Sequence, residues 1–444
     1  MKVVENSRVL AWLTLGASLL IALGVWRWTR AVLVPSNTLQ AQSKGIPIGN
    51  NSDLYPRWLG ARELLLHGRD PYSAEITRES QIGYYGRPLD PDRANEPTDV
   101  AAFAYPVPVV FLLAPTIKLP FATVQVIFRW VLLLSIAASV PLWLRAVGFE
   151  LRWEYVVSAA LLAVSSSPGI SSYYKQNLSP LIILFIAGAA AAAVRRWLAL
   201  SGLLLALATV KPQITGLFIV FFLLWAAARW SERQSLVWGF LAASVGLLAA
   251  AEAVLPHWIR EFFLAARSYE GYSGETSILR VLLPTFLAHL ISALLVVAFL
   301  VLCWSWRHAA AGSEPFAWGL AWAGASTLVV LPKLSSYNQP LLIPSLLVLI
   351  AYRQEIWKAG LLARAFTKGA FTCQLWQWGT ASILALLSLL LSPAQVRRAA
   401  GLPEYTLFAL APLTLLAVVA ATFPIKESSL GSAVKAPSPA GRHG

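Results

Sequence analysis

VLAWLTLGASLLIALGVWRW, residues 9–28, holds no acidic side chain and a single Arg, next to its last residue. Coiled as a helix at 1.5 Å per residue it spans about 30 Å, the depth of a bilayer's hydrocarbon core. The run is long for a signal-peptide core and no small-residue cleavage site follows it, so it reads as an uncleaved first span. Comparable apolar runs recur at about 121–144, 153–168, 178–194, 197–210, 213–228, 235–255, 281–303, 316–331, 339–352, 373–391 and 404–423. Those at 197–210 and 339–352 are short, about 20 Å, and suit half-spans lining a cavity.

Composition agrees with this reading. The chain has 444 residues, 57% hydrophobic and 13% charged, against roughly 25% charged in soluble domains. Unpaired backbone groups are too costly in hydrocarbon for anything but helices or closed barrels. The long runs lack the alternating pattern of a barrel. The expected fold is therefore an all-α polytopic membrane bundle with about 12 transmembrane helices. It forms a single transmembrane domain over residues 1–424, with a disordered cytoplasmic tail at 425–444 that is rich in Ser and Pro.

The net charge of +14 does not indicate nucleic acid, because the basic residues are dispersed at helix ends, where topology signals belong. With the N-terminus inside, inner segments hold sixteen Lys and Arg and the short outer loops eight. The large first loop, 29–120, is then extracytoplasmic. Its last part, AYPVPVVFLLAPTIKLP at 104–120, is too short and proline-rich for an ordinary span and reads as a juxtamembrane or re-entrant element. A true span there would flip every later loop and place Arg195-Arg196 and the Arg353–Lys368 cluster outside.

Several signals exclude other chemistries or carry little. Cys303 and Cys373 give no disulfide framework and no metal spacing. The five His are scattered, without a zinc motif, and no Walker loop is present. Asp90-Pro91-Asp92 reads as a turn. No cofactor is indicated, although a divalent metal stays open.

The remaining polar clusters fall on the outer face. NSDLYPRWLGARELLLHG, residues 51–68, repeats apolar residues at helical spacing (Leu54, Trp58, Ala61, Leu65) and predicts a short amphipathic helix with its apolar face on the membrane surface. Asp53 takes its N-cap position and Gly68 ends it. A cap alone is the simpler role for Asp53; a carboxylate at membrane-surface level is the chemically active one. Tyr105, Gln176, Asn177, Lys211, Lys333 and Asn338 lie at outer helix ends. Lys211 and Lys333 either snorkel to headgroups or bind an anion. Gln176, Asn177 and Asn338 either cap helices or bind sugar hydroxyls, and Tyr105 either joins an aromatic belt or stacks on a sugar. Arg129 lies within the 121–144 span, where charge is costly and usually functional. These residues are expected to converge on one lipid-accessible cavity.

Taken in order, these stretches resemble glycosyltransferase family 87, polytopic GT-C enzymes related to polyprenyl-phosphate-mannose-dependent α-mannosyltransferases. The resemblance runs through DLYPRWLGARELLLHG and the D-P-Y at 70–72, FAYPVP at 103–108, YKQN at 174–177, GLLLALATVKPQ at 202–213 and SSYNQPLLIPSLL at 335–347. It spans residues 9–350. Lys175 stands where the family usually has Gly, Val107 where it has a second Pro, and Tyr337-Asn338-Gln339 where a His is common. The resemblance implies a GT-C fold in the cell membrane and transfer of a mannose-like hexose on the extracytoplasmic face. The donor would be a polyprenyl-phosphate sugar and the acceptor a glycan or glycolipid. Asp53 would be the general base, with inversion at the anomeric carbon. A lipid-linked sugar flippase or transporter, and a non-catalytic partner in envelope-polysaccharide assembly, are the alternatives; a transporter would show related halves and midplane charges, and no internal repeat is evident.

Overall fold

The structure, a computed structural model, describes residues 2–3, 7–43, 52–90, 92–93, 96–272, 276–333 and 335–422. The tail at 425–444 lies outside them. Within them the chain is helical apart from a two-residue parallel pairing of β1 (Lys2–Val3) with β2 (Phe149–Glu150).

The first apolar run forms α1 (Arg8–Trp28), which continues through a π-helical turn, Thr29–Leu33, into α2 (Val34–Ser43). The loop region supplies α3 (Leu54–His67), α4 (Ala74–Tyr85) and α5 (Val109–Leu113). Then come α6 (Phe121–Ala146), α7 (Trp153–Val164), α8 (Ser167–Lys175), α9 (Ser179–Val194), α10 (Leu198–Ala208), α11 (Pro212–Ala227) and α12 (Trp230–Val254). The rest comprises α13 (Trp258–Tyr272), α14 (Ile278–Leu282), α15 (Thr285–Trp306), α16 (Glu314–Val330), a 3₁₀ segment at Ser336–Leu342, α17 (Ile343–Ala351), α18 (Arg353–Lys358) and α19 (Leu361–Leu387). Short turns α20 (Pro393–Val396) and α21 (Leu402–Tyr405) lead to α22 (Ala411–Ala421).

Among the described residues five helical stretches are long and apolar enough to cross a membrane, and a sixth if the pair α7 and α8, bent by 55°, forms one span. Other apolar helices, including α9, α10 and α11, are shorter. Five or six is the number supported by length, against the twelve expected from apolar runs alone.

The core is built from the faces of α6, α9, α10, α11 and α16, with Trp143, Phe218, Phe221, Phe222 and Phe316 fully buried. Where helices approach closely, small residues make room: a Cβ on Gly202 of α10 would come within 2.1 Å of the Leu236 carbonyl of α12. Such small-residue contacts let backbones pack where lipid supplies no hydrophobic drive.

The inner segments predicted from charge gather at one end of the bundle. β1 pairs with β2 beside the α6–α7 turn. Arg233 donates to the carbonyls of Trp225, Arg307 and Ala309, and Trp318 stacks near Tyr352 at 6.0 Å.

One expectation is corrected. The apolar face of α3 does not lie on the membrane surface. Leu54, Trp58, Ala61 and Leu64 are buried in the protein, and Trp58 Nε1 donates to the Thr116 carbonyl at 3.3 Å. The 104–120 segment, folded as α5 and a 3₁₀ turn at Ala114–Thr116, covers that face. Two short apolar segments satisfy each other, which a reading of either alone misses. Gly68 ends α3 in the left-handed conformation, as its position predicted.

Candidate active site

Four chain segments meet at the end of the bundle opposite those arginines. Asp53 begins α3, Asn177 and Ser179 begin α9, Lys211 precedes α11, and Asn338 sits in the 3₁₀ segment before α17. Asp53 occupies the N-cap position, but its carboxylate makes no capping bond. The neighbouring Ser52 hydroxyl accepts from the Leu54 amide at 3.3 Å instead. The Asp53 carboxylate is thereby released for other work. Its backbone is pinned by a 2.7 Å bond to the Lys175 carbonyl and by Arg57, which donates to the Asp53 carbonyl.

Asn177 Nδ2 donates to Asp53 Oδ2 at 3.1 Å. Asn177 Oδ1 accepts from Lys211 Nζ at 2.8 Å. The ammonium also donates to Asn338 Oδ1 at 3.1 Å and to Ser179 Oγ, and it lies 4.8 Å from the centroid of the Tyr337 ring. Ser179 Oγ lies within donating distance of Asn177 Oδ1 and Asn338 Oδ1, at 2.8 and 2.7 Å. A hydroxyl has one proton, so it serves one of these at a time. The result is a polar chain from a half-buried carboxylate to a buried cation, fixed on three helices.

This chain borders a cavity of about 470 Å³ whose walls include Asn177, Lys211, Asn338, Tyr105, Arg57 and Lys333. Arg57 stacks 4.6 Å from the Tyr105 ring centroid. Burial works against its charge, but Tyr105 and Asp53 outweigh it and raise its pKa above the ordinary arginine value. Burial pushes the Tyr105 phenol up, and burial with the Asp53 carboxylate pushes Tyr84 well up. Lys333 donates to the Tyr269 carbonyl at 3.2 Å and sits 3.7 Å from its ring centroid. Arg267 and Phe262 of α13 complete the wall.

Three sequence candidates, Asp53, Gln176 and Arg129, do not line this cavity. The amide of Gln176 is consumed inside the protein: its Oε1 accepts from Ser52 and its Nε2 donates to the Gln125 carbonyl at 3.0 Å. In the left-handed conformation, it ties α3, α6 and the end of α8 together. Arg129 lines a different cavity, with Lys175 and Arg397. Asn177, Lys211, Lys333, Tyr105 and Asn338 thus line one cavity and Arg129 another, while Asp53 lines neither and touches the first through its hydrogen bond with Asn177. The turn at 175–177 carries Lys175 on one side and Asn177 on the other. Sequence reasoning missed Ser179, Arg57, Arg267 and Tyr269. Arg57 was the most legible, one helical turn after Asp53. Asp90 and Asp92 form a turn, with the Asp92 amide donating to Asp90 Oδ1 at 3.1 Å. Among the described residues no three His, Cys, Asp or Glu lie together as a metal-holding group.

The family model of glycosyltransferase family 87 matches residues 103–332. The chain belongs to glycosyltransferase family 87. The matched region carries Tyr105, Asn177, Ser179 and Lys211; Asn338 lies shortly after it, and Asp53 lies well before its start at residue 103. Membership makes the protein a membrane glycosyltransferase, with a sugar donor and an acceptor as its substrates. No curated protein and no solved structure matches the chain.

Proposed function

We propose that this glycosyltransferase moves a mannose-like hexose from a polyprenyl-phosphate donor to a glycan or glycolipid acceptor at the extracytoplasmic surface of the cell membrane, inverting the anomeric carbon. The observation that carries this reading is the carboxylate held without a capping role and joined through one amide to a buried ammonium beside a cavity.

In this mechanism Asp53 Oδ accepts the proton of an acceptor hydroxyl as its oxygen attacks the anomeric carbon from the face opposite the phosphate. The bond from that carbon to the phosphate oxygen breaks, and polyprenyl phosphate leaves with the electron pair. General-base help of this kind contributes roughly 10²–10⁴-fold. Charge growing on the leaving phosphate needs preorganised cations. Lys211, Arg57, Lys333 and Arg267 supply them from four directions. Asn338 and Tyr105 offer hydrogen bonding and a ring face to the sugar, and Phe262 and Phe263 an apolar wall for the first isoprene units. The outer location is supported by the loop charges: inner segments carry sixteen Lys and Arg against eight in the short outer loops.

The test is transfer from a panel of radiolabelled polyprenyl-phosphate sugars to acceptors in membranes containing this protein. A product bearing the mannosyl label supports the reading; incorporation only from nucleotide sugars would overturn it.

A further inference from the structure

The turn that carries Asn177 has a second side. Lys175, two residues earlier, lines a cavity of about 560 Å³ together with Arg129 from α6 and Arg397 from the turn after α20. Three cations thus enter one space from remote parts of the chain, and among the described residues Glu404 is the one carboxylate lining it. The Arg129 Nε is buried with no hydrogen-bond partner among the described residues, and its guanidinium lies 5.2 Å from the Tyr173 ring centroid. Arginine placed within an apolar helix is costly, and its planar fork suits phosphate oxygens. Trp28, Leu33 and Ile170 add apolar surface to the same lining, beside the polar Asn37, Thr38 and Gln40 of α2. Trp28, Leu33 and Val34 lie along the first candidate span, Arg8–Ser43, which sets the cavity against a membrane helix. An anionic head beside an apolar wall is the chemistry of a phosphorylated lipid.

We propose that the Arg129–Lys175–Arg397 cavity binds the phosphate of a membrane lipid, separately from the cation cluster around Lys211. The proposal stands whether or not sugar transfer is the reaction. Two sources share this chemistry, an anionic phospholipid and a polyprenyl monophosphate. Because the Asp53 amide bonds to the Lys175 carbonyl, a lipid held here reaches the carboxylate through one peptide link.

The full chain, delipidated in a nonionic detergent, is titrated calorimetrically with short-chain phosphatidylglycerol, a polyprenyl monophosphate and inorganic phosphate. At least one lipid binds the wild type, and its affinity falls about tenfold or more in Arg129→Gln/Arg397→Gln but not in Arg195→Gln, an exposed arginine that lines neither cavity, in line with the loss of charge-assisted bonds. Loss for phosphatidylglycerol alone names the phospholipid; loss for the polyprenyl phosphate names the isoprenoid lipid. Wild-type affinity for both lipids in the double variant overturns the proposal, as does inorganic phosphate binding as tightly as either lipid. If the glutamine variant fails to fold, Arg129→Lys/Arg397→Lys keeps the charges, and the wild type alone still decides: affinity must weaken as salt rises, and a salt-independent affinity overturns the site.

Discussion

Lys211 Nζ lies 2.8 Å from Asn177 Oδ1, and this contact fixes which way the Asn177 amide points. An ammonium only donates and an ionised carboxylate only accepts, so Oδ1 must face Lys211 and Nδ2 must face Asp53. The amide assignment that is often ambiguous is here dictated by charge on both sides. Asn177 passes the polarity of the cation to the carboxylate and holds both in place.

Lys211 is therefore expected to be structural and functional at once, and two substitutions separate the roles. Lys211→Met leaves Ser179 and Asn338 acceptors without their donor in a buried site, which costs about 1–3 kcal/mol and lowers the thermal midpoint. Lys211→Gln returns an NH₂ donor but no charge. It should recover most of the stability in thermal unfolding and none of the donor binding. A glutamine variant that transfers sugar at the wild-type rate would remove Lys211 from the stabilisation of the leaving phosphate.

Gly324 fixes the segment that carries Asn338. A Cβ at this position would sit 2.3 Å from the Leu341 carbonyl, a backbone atom that cannot rotate away. Gly324→Ala is expected to push the 336–342 segment off α16, destabilise the protein by about 1–3 kcal/mol and slow transfer, although it touches neither substrate. Unchanged melting and turnover would show that α16 can yield.

The Arg87–Glu96 pair gives the outer loop a pH dependence. The Arg87 hydrogen bond holds the Glu96 carboxyl below its ordinary 4.5. A carboxyl depressed in the folded state stabilises it above the ordinary carboxylate range, and that contribution is lost as pH falls through the depressed value. Asp90's amide, which donates to Glu96 Oε1 at 3.2 Å, should lose hydrogen-exchange protection as the pH falls below about 4.5. Glu96→Gln should flatten this response.

Much of the fold was legible because long apolar runs admit few alternatives. The 121–144 run became α6 almost unchanged. Span number was less legible: apolar content does not say whether a short helix such as α10 crosses or stops. The site was legible as a set of outer polar residues but not as a geometry. Ser52 and Asp53 are adjacent and either suits a cap, so only the fold shows that Ser52 takes that task. Arg129 and Lys211 fell into different cavities because Gln176 and its neighbours form a partition, which no local pattern announces. Ser179 reads as an ordinary helix start, and its place between Lys211 and Asn338 is a tertiary fact.

The sidedness of the bundle has a direct test. Ala74 in α4 and Ser231 at the start of α12 are exposed, and both native cysteines are buried, so single cysteines at either position should report cleanly. Ala74→Cys is expected to react with an impermeant thiol reagent added outside intact cells and Ser231→Cys only after lysis. Labelling of both from the same side would undo the orientation on which the outer active site depends.

Asp53→Asn is the sharpest expectation. The side chain keeps its size, and its Oδ1 can still accept from Asn177 Nδ2. Ser52, not Asp53, caps α3, so helix formation does not depend on the carboxylate. Folding and the thermal midpoint should therefore be near wild type. The proton acceptor is gone, and transfer should fall by roughly 10²–10⁴-fold. Donor affinity should change little, because the cations lining the cavity remain. If Asp53 served only as a cap, the order of effects would reverse: Asn, itself a good cap, would be fully active, and Ala would lose about 1 kcal/mol of stability. Turnover and thermal unfolding measured on one purified Asp53→Asn sample separate these cases. Full activity would leave the polar chain from Asn177 to Lys211 as a structural brace and would require another base beside the cavity.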